Sequence, residues 1–400
     1  MIVVHVLTRL LRAGAEENTL AICRLQRAEG HHVVILHGAE FDSAMVAEAR
    51  REFDVYQLDR LVHPISLVDD LAAVGQIRAL LRALKPDVVH THQSKAGVVG
   101  RMAARLERVP LVVHGVHIIP WTRIGPISRA VYIAAERLCG LWTHAYVDVS
   151  PTVRNEYLRH GLGRPETHFV QLSPIEIGRF ASASWPDDWR SLLDVTDRSQ
   201  KPPVILMLAA FEPRKRHIEL LEALARTPLP RGTRVLLAGD GPEVARAQRT
   251  ARALGLTETV RFLGHRPDPE RLIAMADVCV LTSEREGLPR VVVQYLAGGR
   301  ATVATDLPAL SDILVDGRNG VIAADVQGAA DCAVGLLQNT LKRERLAAGA
   351  AATDVSAWSG ERAYPTVQAA YATAAARVGV DLANRAPPPV GATRGRVVAL

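Results

Sequence analysis

Three short segments of this 400-residue chain combine residue types that could handle a phosphorylated ligand. The first is Phe211-Glu212-Pro213-Arg214-Lys215-Arg216-His217. Three cations at a helix start oppose the positive end of its dipole. An anion brought there would relieve the conflict, Arg acting as a fork and Lys as a point charge; a solvated basic turn is the plain alternative. The second, Ser283-Glu284-Arg285-Glu286-Gly287-Leu288-Pro289, sets Glu286 at the carboxyl end of an apolar run, just ahead of a helix that Pro289 suits as its first residue. Gly287 would bare backbone amides to a phosphate or sugar, and Glu286 either holds a ligand or caps the helix. The third is the turn Leu11-Arg12-Ala13-Gly14-Ala15-Glu16-Glu17-Asn18-Thr19. Small residues there let the backbone approach a ligand, and the first helical amides attract anions.

Histidines gather in the first half: His90 and His92 at the end of one apolar run, His114 and His117 at the end of the next. H-x-H can be a metal pair, but no third ligand of matching spacing is evident, so polar residues lining a cleft are the preferred reading. No D-x-D occurs in the chain, whereas a divalent cation bridging a diphosphate wants hard oxygen ligands; no metal and no cofactor are therefore expected. The apolar segment after His117, Ile118-Ile119-Pro120-Trp121-Thr122-Arg123-Ile124, has three open roles: burial in the core, lining an acceptor pocket, or touching a membrane.

These segments need elements to hold them. The first half alternates Val-rich runs at 2–7, 32–37, 87–91, 111–116 and 145–149 with helical patterns at 16–29, 67–84, 95–107, 127–141 and 151–159. A polar zone at 180–203 reads as a linker. The alternation then restarts, with strands at 204–208, 234–238, 260–263, 278–281 and 302–304 and helices at 215–226, 242–254, 270–275, 289–297 and 309–314. Helices from about 326 to 375 close the domain, and the Pro387-Pro388-Pro389 tail beyond Val378 is expected to be disordered. Apolar strands alternating with helices imply parallel sheets covered on both faces. The chain thus reads as α/β, two successive doubly wound domains whose ligands bind at the carboxyl ends of the strands, in a cleft between facing sheets.

Composition sets outer bounds. At 48% hydrophobic and 22% charged the chain is an ordinary globular protein. The net charge of +6 comes mostly from Arg. Scattered solvated helices account for it, with a phosphate-rich ligand or an anionic membrane surface as alternatives. Without a run of five Lys/Arg or interleaved aromatics, nucleic acid is not expected as a partner. No G-x-G-x-x-G opens a helix after the first strand, which weakens a dinucleotide dehydrogenase. The four cysteines form no C-x-x-C pair and suit a reducing compartment. The apolar start lacks a leader's basic region and cleavage site, so a cytoplasmic protein is expected, with peripheral contact at the inner membrane face left open.

Taken together the segments resemble glycosyltransferase family 4, a retaining GT-B group, over nearly the whole chain to about residue 375. The markers run in family order: 12–20, 90–97, 113–117, Glu212-Pro213-Arg214-Lys215, Gly239-Asp240-Gly241-Pro242, 261–265 and Glu286-Gly287-Leu288-Pro289. The resemblance implies a GT-B fold of two Rossmann-like domains: an acceptor-binding one at 1–180, joined by a crossover helix at 357–375, and a nucleotide-sugar-binding one at 200–356. It implies catalytic roles for Glu286, His117 and Lys215. Lys215 would neutralise the leaving diphosphate, Glu286 would hold hydroxyls of the transferred sugar, and His117 would lie by the sugar and its β-phosphate. Gly14, Arg214, Gly264, His265, Gly287, Leu288 and Gln294 would bind the donor, while His92, Lys95 and Trp121 would lie on the acceptor side.

Three positions depart from the family pattern. The first-turn Gly-Gly is Ala13-Gly14, the arginine five residues before Lys215 is Ala210, and the second carboxylate of Glu-x7-Glu is Gln294. The expected activity is metal-independent, retaining transfer from a nucleotide diphosphate-sugar, with UDP the leading base and GDP or TDP open. The departing phosphate, held by fixed cations and amides, would take the acceptor's proton. The acceptor would be a small molecule, a glycan or a lipid-linked glycan. Two alternatives stand beside this reading: a catalytically silent GT-B accessory protein that binds nucleotide or an acceptor glycan, and a GT-B nucleotide-sugar epimerase. The motif order argues against the epimerase, and the oligomeric state is not readable.

Overall fold

The computed structural model describes residues 1–122, 124–196 and 200–382. They divide into two compact units, one running to Pro174 and resuming at Gly360, the other spanning Ile175–Ser359. The tail expected to be disordered lies outside the described residues from position 383 onward, as does Arg123 in the apolar segment.

The first unit carries strands β1 (Ile2–Leu10), β2 (His32–Phe41), β3 (Asp54–Gln57), β4 (Val88–His92), β5 (Leu111–Val116), β6 (Ala145–Asp148) and β7 (His168–Val170). Its helices are α1 (Gly14–Ala28), α2 (Ser43–Glu52), α3 (Leu67–Leu84), α4 (Ser94–Leu106), α5 (Pro126–Gly140) and α6 (Pro151–Arg159). The strands pair in parallel in the order β3-β2-β1-β4-β5-β6-β7. Because side chains alternate across a strand, Val4, Val6, Val34, Leu36, Val89 and Val112 pack one face against α3 and α4. Val3, Val88, Leu111, Val113, Ala145 and Val147 fill the other face. Helix starts follow local chemistry. The Asp42, Ser66 and Ser150 side chains accept from the backbone amides of Met45, Asp69 and Val153, capping α2, α3 and α6.

The second unit opens with α7 (Ile177–Ala181) and α8 (Trp189–Leu193). The zone expected as a linker is therefore helical in part and strapped to this unit. Asp187 pairs with Arg271 at 2.6 Å, Asp188 with Arg266 at 2.8 Å, and Arg179 with Glu270 at 2.8 Å. Its polarity, which reads as a linker in the sequence, serves ion pairs instead. There follow β8 (Val204–Leu208), α9 (His217–Arg226), β9 (Arg234–Ala238), α10 (Val244–Ala253), β10 (Val260–Gly264), α11 (Pro269–Met275), β11 (Val278–Leu281), α12 (Arg290–Ala297), β12 (Ala301–Thr305), β13 (Val321–Ala323), α13 (Val326–Gln338) and α14 (Thr340–Ala351). The sheet order is β10-β9-β8-β11-β12-β13, every pairing parallel. The last helix, α15 (Gly360–Val378), belongs to the first unit, where Tyr364, Val367, Ala370, Tyr371 and Ala374 cover the face that Val3 and Val88 line.

Among the described residues no helix is long and apolar enough to cross a membrane. Cys23, Cys139 and Cys279 are buried free thiols, and Cys332 is half-buried.

Candidate functional site

In the second sheet β8 and β11 are neighbours, although β9 and β10 intervene in the chain. Connections leave this pair in opposite directions, which opens a crevice outside the strands' carboxyl ends. The loop after β8 makes a 3₁₀ turn, Pro213–Lys215; Arg216 is left-handed at φ 58°, and α9 starts only at His217. Helix 215–226 of the sequence reading is thus shorter: Arg214 and Lys215 lie on the turn ahead of it and Arg216 at its N-cap.

Glu286, on the loop after β11, faces both cations. Its Oε2 accepts from Arg214 Nη1 at 3.1 Å, and its Oε1 accepts from Lys215 Nζ. Arg214 Nε also donates to Glu212 at 2.6 Å. The Glu286 side chain is 11% exposed. Burial alone would raise this carboxyl, but the charges of Lys215 and Arg214 outweigh it and hold the group below its ordinary range. Lys215 is lowered by burial first, with Arg214 adding to the effect against the pull of Glu286. Helix α12 begins at Arg290, and Pro289 precedes it without a side-chain cap. Glu286 is therefore an ion-pair partner and not a capping carboxylate.

Backbone bonds lock these loops to one another. Glu284 N donates to Arg214 O at 2.7 Å, and Thr282 Oγ1 to Lys215 O at 2.9 Å. On the other side Phe211 N donates to Asp240 O at 2.8 Å, Gly239 N to Gly264 O at 2.8 Å, and His265 N to Asp240 Oδ2 at 3.1 Å. Gly239, at φ +146°, admits no side chain, since a Cβ would stand 2.1 Å from Ala209 O. Gly264 at the end of β10 adopts φ +63°, as glycine readily does. Gly287 and Leu288 are buried between Glu286 and α12, and Gln294 is half-buried on that helix. The structure thus brings Arg214, Lys215 and Glu286 into contact and sets Gly264 and His265 on a loop two strands away.

The first sheet has its own reversal, between β1 and β4. Gly14 is the exposed first residue of α1. Gln93, left-handed at φ 62°, accepts from Thr8 N at 3.0 Å and donates to Glu16 at 2.9 Å, tying the β4 loop to β1 and α1. Lys95 pairs with Asp70 at 2.5 Å and donates to Pro64 O. Trp121 and Ile119 take the burial role among the three left open. The Trp121 indole is 2% exposed, donates to Glu156 at 3.2 Å and packs on Tyr157.

The histidines form a chain. Register pairs His5 with His90 across β1 and β4, so His5, His90 and His92 share one face. His117 Nε2 lies 2.9 Å from His92 Nδ1, His92 Nε2 lies 2.9 Å from His5 Nδ1, and His5 Nε2 lies 2.8 Å from Gln26 Oε1. Tyr371 of α15 joins Gln26 Nε2 at 3.1 Å to His90 Nδ1 at 2.8 Å. His5 supplies the third ring that spacing did not reveal, bringing nitrogens of His5, His90 and His92 within 4.8 Å of one another. Burial lowers His5 to about 4 and takes His90 and His92 well below the usual histidine value. His114 points to the opposite face, where its Nδ1 lies 3.0 Å from Thr91 Oγ1. His5 and Gln26 escape the sequence reading; the only signal is a lone histidine at mid-strand, whose partner is 85 residues away.

Residues 191–352 match the family described as Glycosyl transferases group 1, and residues 13–172 the Glycosyl transferase 4-like domain. The chain is 38% identical over 357 residues to a phosphatidyl-myo-inositol mannosyltransferase of Mycobacterium leprae, covering 86% of this chain and 90% of the relative. It is 24% identical over 296 residues to the Escherichia coli UDP-Gal:alpha-D-GlcNAc-diphosphoundecaprenol alpha-1,3-galactosyltransferase, covering 71% and 76% respectively. Among solved structures, Anabaena HepE in complex with UDP-glucose superposes with a TM-score of 0.74 at 21% identity, over 93% of this chain and 99% of that one.

Proposed function

We propose, from the premise that this chain belongs to the glycosyl transferases group 1 family and is a GT-B glycosyltransferase that takes its sugar from a nucleotide sugar, that it moves the sugar of a UDP-sugar, with retention, to a hydroxyl of a lipid-linked or membrane-borne glycan. The observation that carries the donor half is the meeting of Arg214, Lys215 and Glu286 at the strand reversal of the second sheet. Two cations held this close to one carboxylate can exchange it for a diphosphate, and the freed carboxylate is then an acceptor for sugar hydroxyls. In the proposed step the bond from the anomeric carbon to the phosphate oxygen breaks as the acceptor oxygen bonds that carbon on the same face. The acceptor's proton passes to the departing phosphate oxygen, whose charge Lys215 and Arg214 stabilise. No metal is assigned to this step, in keeping with a chain that lacks D-x-D.

The backbones of Gly264 and His265 are proposed to meet the base, and Gly287 and Leu288 to offer amides to the ligand. Gln294 would accept from the ribose, without the charge assistance of a carboxylate. We carry over in the same way Gly14, to meet the diphosphate, and His117, to meet the transferred sugar. UDP is favoured over other bases because HepE is described in complex with UDP-glucose and the E. coli relative is named for UDP-Gal.

The acceptor half rests on the relatives' names, which specify phosphatidyl-myo-inositol and a diphosphoundecaprenol, and on α5. Ile127, Val131 and Leu138 along that helix, and Leu141 at its C-cap, are 81, 56, 51 and 78% exposed. With exposed Ala134 they follow helical spacing and make one apolar stripe, on a helix that also bears exposed Arg129 and Arg137. A stripe with the cation Arg137 at its border suits the interface of an anionic membrane. Titration calorimetry of the full chain against UDP, GDP and TDP without metal tests the donor half. Micromolar binding of UDP alone is expected. Binding of none would favour an accessory protein that has lost the donor site, and binding of GDP or TDP alone would replace the base.

A further inference from the structure

His5, His90 and His92 are 0, 2 and 3% exposed and come from neighbouring strands, one ring from β1 and two from β4. Each ring has one nitrogen committed to an outer partner. His5 Nε2 donates to Gln26 Oε1 at 2.8 Å, His90 Nδ1 lies 2.8 Å from the Tyr371 hydroxyl, and His92 Nδ1 lies 2.9 Å from His117 Nε2. Of the three nitrogens that remain, His5 Nδ1 and His92 Nε2 face each other at 2.9 Å. The third, His90 Nε2, is buried and finds no hydrogen-bond partner among the described residues.

A buried nitrogen in that position has given up water and gained nothing. Protons within the trio do not repair it: one proton serves the His5–His92 contact, and either tautomer of His90 leaves Nε2 unmet. A metal ion does repair it. One nitrogen from each ring already lies within 4.8 Å of the other two. A tetrahedral zinc with bonds of about 2.0–2.1 Å sets its donors about 3.3 Å apart. To reach that spacing the His5–His92 pair opens by a few tenths of an ångström and His90 closes in.

The outer partners are those that ligating histidines need. Such a ring binds metal through one nitrogen and donates its other N–H to an acceptor, which fixes its orientation. The Gln26 carbonyl can only accept, so it keeps the His5 proton on Nε2 and directs Nδ1 inward. The Tyr371 hydroxyl can accept from His90 Nδ1 while it also takes a bond from Gln26 Nε2 at 3.1 Å. Gln26 and Tyr371 thereby link two of the rings to α1 and α15 of the same unit. An all-imidazole set suits zinc among the divalent ions, and the ion displaces any proton on the inner nitrogens.

We propose that His5 Nδ1, His90 Nε2 and His92 Nε2 bind one zinc ion that clasps β1 to β4, with Gln26 and Tyr371 orienting two of the three rings. The chain supplies three donors, and a water or hydroxide takes the fourth position. The ion acts on the fold of the first unit and has no part in the transfer step, to which no metal is assigned.

The test is metal analysis of the full chain, made without an affinity tag, unfolded in urea with a chelator and refolded with or without zinc. After dialysis into metal-free buffer the chain refolded with zinc is expected to hold about one ion, with three imidazole nitrogens at about 2.0–2.1 Å by X-ray absorption. The zinc-free chain should melt roughly 5 to 10 °C lower, as for any ligand withdrawn from well above its dissociation constant. His90→Gln is expected to lose both the ion and the shift, whereas His63→Gln, at an exposed position, keeps both. Should His90→Gln not fold, the absorption spectrum of the unsubstituted chain decides, and a shell without three imidazoles overturns the proposal. A refolded chain that retains no zinc overturns it too, as does a folded His90→Gln that holds zinc equally well. None of these measurements needs a sugar donor, so the zinc can be absent while the transferase reading stands, and the reverse.

Discussion

Lys215 and Glu286 stand 71 residues apart in the chain and join their charges at the carboxyl ends of adjacent parallel strands. With Arg214 on the other carboxylate oxygen at 3.1 Å, the pair makes a small ionic cluster where a phosphorylated ligand would have to enter. Two cations face Glu286, and Glu212 on Arg214 balances the second of them, so a diphosphate entering here takes the place of Glu286 as their counter-charge.

Glu286→Ala separates binding from transfer. Without the carboxylate, Lys215 and Arg214 lose a counter-charge they would otherwise surrender when a diphosphate arrives. Affinity for UDP is expected to rise about tenfold, while transfer falls by about 100-fold or more, the scale of losing one preorganised group at a reacting centre. Calorimetry and a product assay on the same preparation read both. Loss of UDP affinity together with transfer would mean that Glu286 builds the site instead of holding its place for the ligand.

The alkaline limb should divide affinity from stability. Lys215 has a folded value below its ordinary 10.5, through burial first and Arg214 second. Just below 10.5 the unfolded chain keeps that proton while the folded chain has shed it, so this group's contribution to stability rises with pH across the window. The ammonium is what a diphosphate needs, so UDP affinity should fall over the same window. Lys215→Arg, always charged, is expected to hold its affinity at a pH where the unsubstituted protein loses it. An identical decline in both would assign the limb to another group.

What could be read without coordinates follows burial. The central strands β1, β4, β5, β8, β9 and β11 are covered on both faces, so their apolar runs stand out, and the motif loops at their ends locate Lys215, Glu286 and Gly264. The short edge strands leave little trace, whereas the edge strand β10 does show, as an apolar run at 260–263. β3 is Asp54–Gln57, half-exposed and four residues long, and β7 and β13 have three residues each. Helix α2 buries only Met45, Val46 and Ala49, too narrow a stripe to read as a helix. Contacts that need register were beyond reach as well. The His5 relay depends on β1 lying beside β4. The fully buried Arg101, bonded to both oxygens of Glu136 at 2.8 and 2.9 Å, depends on α4 meeting α5. Trp121 was open between three roles until its partner Glu156 was known.

Acid should unfold this protein through its histidines. His5 is lowered to about 4 and His217 to about 3, both by burial first, and His90, His92 and His114 lie well below the ordinary 6.5. Between these values and 6.5 the unfolded chain binds protons that the folded chain refuses. Stability is thus complete above 6.5 and lost as pH falls below it. Each histidine still neutral in the fold adds roughly 1.4 kcal/mol per pH unit to the slope. Urea titrations at pH 7.5 and 5.5 should show the midpoint dropping steeply with an unchanged m-value. A flat profile would mean that these rings are hydrated in solution.

The stripe on α5 predicts a surface effect with no cost to the fold. Ile127 and Leu141, 81 and 78% exposed, contribute little to the interior, so Ile127→Asp with Leu141→Asp should leave the melting temperature within a degree or two. Burying one such side chain in a bilayer interface is worth about 1.5–3 kcal/mol. The double variant should therefore sediment with anionic phospholipid vesicles at least tenfold less well, with further weakening in high salt as the Arg137 attraction is screened. Activity toward a water-soluble acceptor analogue should persist, while activity toward the same acceptor embedded in vesicles should fall. Equal vesicle binding by both proteins would remove α5 from the membrane contact and leave the acceptor assignment resting on the relatives alone.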